Sequence, residues 1–144
     1  MTKAKTKAEE IKEKFKNIGT GPGLDDKMRI GENIENLSSD NPYIRSVAAE
    51  YTGRIAVKYG SELVLLCGAL PLLMDCLKSE YPGLIYRAAI AISDIAKGGG
   101  TDAILDENIA DMLMEMMKSS QYSVHEKDAI AQALGWIYAS KLIS

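Results

Sequence analysis

Apolar positions along the chain fall into stripes of three lengths, punctuated by proline and glycine. Between Gly60 and Gly98 the chain reads GSELVLLCGALPLLMDCLKSEYPGLIYRAAIAISDIAKG. Ser61 to Leu66 is a short apolar run that stops at Cys67-Gly68. Pro71 sits just inside a second helix, Leu70 to Lys78, where its missing N–H is harmless and its fixed φ suits a first turn. Pro82 opens a longer helix that runs to Lys97 and is stopped by Gly98-Gly99-Gly100. A short, a medium and a long helix in about 40 residues make one unit of a helical repeat.

The unit recurs. Moved back by 40 residues, the long helix sets Pro82 on Pro42, Ala88-Ala89 on Ala48-Ala49, Ser93 on Gly53 and Ile95-Ala96 on Ile55-Ala56. Moved forward by 42, it sets Ala89 on Ala131, Ser93 on Gly135 and Ile95 on Ile137, so Ala49, Ala89 and Ala131 are expected at equivalent close helix contacts. In the medium helix, Leu70, Met74 and Leu77 fall on Ile30, Ile34 and Leu37, and on Ala110, Met114 and Met117. Through "GALPLLMDCLKS", "NPYIRSVAAEYTGRIA" and "RAAIAISDIAKGG" the chain resembles the armadillo repeat family, a resemblance that runs from about Asp25 to Ser140. It implies an all-α fold, a right-handed α-solenoid of about three armadillo-like helical repeats, and it implies a binding role without naming the partner.

The units occupy about 25–59, 60–100 and 101–144, and residues 24–144 form one repeat domain. The first unit lacks a short helix and begins with a medium helix over Asp25 to Leu37, followed by a long one from Pro42 to about Tyr59. The third has a short helix from Thr101 to Leu105, a medium one from Asn108 to Lys118 and a long one from Val124 to Ser140. Ser123 with Glu126 three residues on is a capping-box signature for that last helix. Residues 1–23 differ in character. Lys3, Lys5, Lys7, Lys12, Lys14 and Lys16 stand against Glu9, Glu10 and Glu13, which gives +3 and leaves −6 for the rest of a chain whose net charge is −3. Ala8, Ile11, Phe15 and Ile18 form one helical stripe, broken by Gly19-Thr20-Gly21-Pro22-Gly23. This stretch reads either as a solvated tail or as an amphipathic helix that docks on the first unit or on another chain.

Composition narrows the partners. The chain has 144 residues, enough for one core, and 47% of them are apolar but only 6% aromatic, a balance that suits helix-on-helix packing. The acidic balance disfavours wholesale binding to nucleic acid, and the glutamates among the lysines weaken a basic-tail reading. Cys67 and Cys76 match no metal spacing and read as buried, reduced thiols of a cytoplasmic protein. No apolar run approaches the length of a membrane span, and the N-terminus has no signal-peptide block, so neither membrane nor secretion is expected.

Helical geometry then separates buried from free positions on the long helices. Ala88, Ile92 and Ile95 are the buried stripe of the second unit, with Ala48, Thr52 and Ile55 before it and Ile130, Leu134 and Ile137 after it. Positions two further on are rotated by about 200°, so Ile90 and Asp94 turn away, as do Glu50 and Arg54, then Gln132 and Trp136. One turn earlier stand Val47, Arg87 and Ala129. In armadillo proteins the long helices line a concave groove that holds extended peptides. The resemblance therefore implies a protein- or peptide-binding ladder of Glu50, Arg54, Arg87, Ile90, Asp94, Gln132 and Trp136. Arg54 and Asp94 have opposite signs and are placed to pair across neighbouring units, and Trp136 reads either as a core residue of the last unit or as a binding anchor. Met112, Met114, Met116 and Met117 read as core filling ahead of an adaptable surface. In the nuclear-import-receptor branch each long helix carries Trp four residues before Asn. The pairs here are Glu50/Arg54, Ile90/Asp94 and Gln132/Trp136, so clamping of nuclear localisation signals by that array is not implied.

No catalytic constellation is present. His125 has Glu126 beside it, but adjacent helix residues do not face each other. No GxSxG, HExxH or paired-cysteine motif occurs, and Gly98-Gly99-Gly100-Thr101 lacks the lysine and the preceding strand of a phosphate loop. The expectation is a scaffold module with no enzyme activity, no cofactor and no metal, which binds a protein or extended peptide. The alternative is a structural subunit that self-stacks into a homo-oligomer or larger complex through its repeat ends.

Overall fold

The computed structural model describes residues 23–143, and every regular element among them is helical. The elements are α1 (Leu24–Glu35) with a 3-10 turn (Asn36–Ser38), α2 (Pro42–Tyr59), α3 (Glu62–Leu66), α4 (Ala69–Leu77), α5 (Pro82–Lys97), α6 (Thr101–Asp106), α7 (Ile109–Lys118) and α8 (Val124–Ile143). The amphipathic stripe expected over residues 8–18 lies outside the described residues.

Proline and side-chain caps explain where the long helices begin. Pro42 and Pro82 occupy the first turns of α2 and α5. Asn41 Oδ1 accepts from the N–H groups of Tyr43 at 2.9 Å and Ile44 at 3.4 Å, satisfying donors that the helix itself leaves open. Asn41→Ala is therefore expected to destabilise the fold by about 1 kcal/mol, read as a lower midpoint in urea; an unchanged midpoint would mean that Pro42 alone sets the start. At the head of α8, Ser123 Oγ donates to Glu126 Oε1 at 2.9 Å, so the expected capping pair meets side chain to side chain. Between the short and medium helices the second unit has Gly68 at φ 76 and the third has Asn108 at φ 60, the same left-handed turn made with the two residues that best tolerate it.

The long helices form one layer. α5 lies between α2 and α8, while α4 packs against α5 and α7 against α8. α1 and its 3-10 turn serve α2 in the same way. Ile34, Leu37, Leu73, Leu77, Ile92 and Ile95 are fully buried in the core this creates. Thr52, buried in mid-helix, is satisfied locally by donating to the Ala48 carbonyl at 2.7 Å. Cys67 and Cys76 are buried and no disulfide joins them; Cys76 Sγ lies 3.6 Å from the Leu37 carbonyl, and burial pushes its thiol pKa up.

Gly98 works as a contact between units. Its carbonyl accepts from Ser61 N–H at 3.0 Å, and a Cβ on it would fall 2.6 Å from the Ala56 carbonyl oxygen. Close approach of α2, α3 and α5 thus accounts for a glycine at the helix stop.

Four expectations need correction. Ala49 and Ala89 are buried, but Ala131 is exposed, because no helix of the described residues follows α8 as α8 follows α5. Ala129, set beside Val47 and Arg87 on the free face, is fully buried. In α7 the buried positions Ile109, Ala110, Leu113 and Met116 match Ala69, Leu70, Leu73 and Cys76 of α4 at the expected shift of 40, but of the methionines expected as core filling Met114 is exposed. The methionine-rich sequence is apolar on more sides than one buried stripe can cover, so Met114 is left facing outward. Leu37 is buried as expected but belongs to the 3-10 turn rather than to α1.

Candidate functional site

On α5 the least covered positions, Gly83, Arg87, Ile90, Asp94 and Lys97, recur at three- and four-residue steps and mark one face of the helix. The matching face of α2 carries Val47, Glu50, Arg54 and Val57, and that of α8 carries Asp128, Gln132, Trp136 and Ala139. Side-chain contacts tie these faces together at two places.

The first is centred on Glu50. Its Oε1 lies 2.6 Å from the Arg54 guanidinium one turn along α2, and its Oε2 lies 3.3 Å from Arg87 of α5. One carboxylate thus joins two helices and holds two guanidinium groups. Arg54 keeps a side chain 76% exposed, which leaves most of its donors to solvent or to a ligand. As surface ion pairs these contacts contribute only about 0–1 kcal/mol each to stability. Their effect is to fix where the charges stand.

The second is centred on Asp94. Gly53 of α2 has no side chain, and the Asp94 carboxylate fills that space: a Cβ on Gly53 would lie 2.5 Å from Asp94 Oδ2 and 3.3 Å from the Ala91 Cα. Burial raises the Asp94 pKa, opposed by Lys97, whose Nζ is 3.8 Å from Oδ1. Lys97 also lies over Trp136 of α8, its Nζ 5.2 Å from the ring centroid, within cation–π range. Trp136, 45% exposed, is no core residue. With Gln132, Gly135 and Ala139 it lines a shallow depression of about 330 Å³.

Glu50, Arg54 and Arg87 therefore form one cluster, and Asp94 and Trp136 belong to another, linked through Lys97. Gln132 is exposed and lies one turn before Trp136. Ile90 is half-buried against the core, midway between the clusters on α5. Arg54 pairs within its own helix and Asp94 with Lys97, so the pair expected between Arg54 and Asp94 is replaced by Glu50–Arg87. Lys97 was not among the residues named from sequence, although its place three residues after Asp94 and seven after Ile90 puts it on the same face.

Asp94 carries a pH prediction. Its pKa in the folded chain is above the ordinary aspartate value, so the fold favours its protonated form. Stability from this group is full below the unfolded pKa, falls as pH rises through the raised folded value, and is level above it. Asp94→Asn is accordingly expected to gain stability relative to the wild type as pH climbs through that window. A difference independent of pH in urea melts would show that Lys97 offsets the burial.

Another contact spans α5 and α8: Tyr86 stacks on His125 with centroids 4.2 Å apart and rings 13° from parallel. No group of side chains among the described residues has the make-up of a metal site, and no helix among them is long and apolar enough to cross a membrane. No family model, curated protein or solved structure matches the chain.

Proposed function

We propose that the chain is a non-catalytic scaffold module of armadillo-like architecture, a right-handed solenoid of three units that binds an extended segment of another protein along the face of α2, α5 and α8. The all-helical fold and the layer of three long helices are compatible with that architecture. The observation that carries the reading is Trp136, a large aromatic left 45% exposed beside a depression and stacked by a lysine from the neighbouring long helix. Exposed tryptophan in such a setting has the make-up of an interface anchor. Glu50, Arg54, Arg87, Ile90, Asp94 and Gln132 complete the surface. With both charge signs and two apolar members, it suits a peptide of alternating apolar and charged side chains better than a uniformly basic one. Two buried thiols that are not joined fit a reducing compartment, and we place the module in the cytoplasm.

Selection of a random peptide library on the immobilised chain tests this. Recovered peptides are expected to share a consensus with an apolar residue, and to bind the Trp136→Ala variant more weakly. No consensus, or one indifferent to Trp136, would refute the groove. A second reading, self-stacking into an oligomer, is favoured by Ala131, Gly135 and Tyr138, exposed on α8 where α5 buries the matching Ala89, Ser93 and Ala96. Light scattering over a wide concentration range decides it, since a monomer throughout removes that reading.

A further inference from the structure

We infer that residues 1–18 pack against α2 as an additional long helix and cover an apolar face left open at that end of the layer. On α2, Tyr43 is 75% exposed, Ile44 41% and Val47 50%. With Ala48, Tyr51 and Asn33 of α1 they line a hollow of about 210 Å³. At Ile44, Ala48 and Tyr51 this side is closed on the other two long helices, whereas Tyr43 and Val47 correspond to Gly83 and Arg87, which are exposed on α5. Ile44, Ala48 and Tyr51 correspond to Leu84, Ala88 and Ala91 of α5, and these to Glu126, Ile130 and Ala133 of α8; all six are buried. On α5 this side meets the preceding long helix, as the approach of Gly53 to Ala91 and Asp94 records. Among the described residues α2 meets no long helix there.

The occupant is the chain that precedes Gly23. The long helices are related to one another by shifts of 40 and 42, and a shift of 41 sets Ala8 on Ala49, Ile11 on Thr52, Phe15 on Ala56 and Gly19 on Gly60. Ala49, Thr52 and Ala56 are all buried in α2. The same shift sets Glu9 on Glu50, Glu13 on Arg54 and Lys16 on Val57, so polar residues fall where α2 faces outward. It also sets Lys7 on buried Ala48, Lys12 on buried Gly53 and Ile18 on exposed Tyr59, so it is the stripe of Ala8, Ile11 and Phe15 that follows the long-helix pattern. Length agrees as well: 18 residues rise about 27 Å, the span of α2, which also has 18. Gly19 to Gly23 leads into α1 as Gly98 to Gly100 leads out of α5 into α6. With its own segment seated there, the chain closes one end against head-to-tail stacking.

The test places a reporter on the segment. In the full-length Trp136→Phe background, Phe15→Trp gives the chain one tryptophan at position 15. Its emission is expected to be blue-shifted relative to the same protein in urea, to be unchanged on dilution, and to move to the red when Ile44→Asp and Val47→Asp are added. These two sites are already open, so the pair leaves the rest of the fold standing, which circular dichroism verifies. Removing residues 1–22 is expected to lower the Tm. Emission at the solvent-exposed position in the native chain overturns the inference. So does a blue shift that disappears on dilution, which would make the occupant a second copy, and so does one that ignores the two α2 substitutions.

Discussion

Ala89→Phe is expected to destabilise the protein by about 1–3 kcal/mol, the range for forcing a larger side chain into a filled core, whereas Ala131→Phe should be close to neutral. Both alanines occupy one position of the long helix, related by the 42-residue shift, and the sequence around them offers no reason to treat them differently. The difference lies in what covers them. Ala89 is fully buried on α5, the helix with a long neighbour on each side, while Ala131 stands exposed on α8. A phenyl ring in place of a hydrogen of the Ala89 methyl must push α5 from a neighbour or take a strained rotamer. At this chain length each kcal/mol corresponds to about 3–5 °C in Tm, so thermal melts of the two variants separate them readily. If both variants melt with the wild type, Ala89 is not at a tight contact and the layer is looser than its burial implies. If both lose stability alike, something covers Ala131 as well, and self-association becomes the first explanation to examine by light scattering.

That pair also shows which part of the fold was legible. Pro42, Pro82 and Gly60 bound α2 and α5 at the residues expected, because a proline lacking its N–H and a glycine after the last turn act locally and need no tertiary context. The buried stripe Ala88, Ile92, Ile95 followed from periodicity, and so did the outward turn of Arg87. Cover is not local. Ala131 and Ala129 were both misjudged, since periodicity tells which side of a helix a residue is on and leaves open whether a neighbour stands there. Met114 was misjudged for another reason: Met112, Leu113, Met114, Met116 and Met117 give nearly every face of α7 an apolar residue, so the sequence leaves open which of them turns outward. On the proposed binding face, the charges of Glu50, Arg54, Arg87 and Asp94 were found, but their partners were not. Glu50 reaches Arg87 because Gly53 lets the helices come close and Asp94 fills the space above it, a consequence of three-dimensional approach that spacing along one helix does not encode.

Trp136→Ala is expected to weaken binding of a selected peptide by about 2 kcal/mol or more, the scale of an interface hot spot, while costing the free protein little. Both halves of that statement follow from the surroundings. A ring 45% exposed has given up little of its contact with water, so its loss leaves no sealed cavity and the fold should melt nearly as before. The same ring offers an apolar surface beside the depression shared with Gln132, Gly135 and Ala139, where a peptide side chain can remove it from water. Lys97 steadies the ring from α5 and is itself held by Asp94, so the anchor is oriented before any ligand arrives and less ordering entropy is lost on binding. Lys97→Ala should accordingly weaken binding less than Trp136→Ala, through a freer ring rather than a missing one. Calorimetric titration of one peptide against the wild type and both variants, with melting curves for each, distinguishes the outcomes. A Trp136→Ala protein that unfolds makes the ring structural. One that stays folded and binds with unchanged affinity moves the contact elsewhere on the ladder, toward Glu50, Arg54 and Arg87, where charge rather than an aromatic ring would have to hold the peptide.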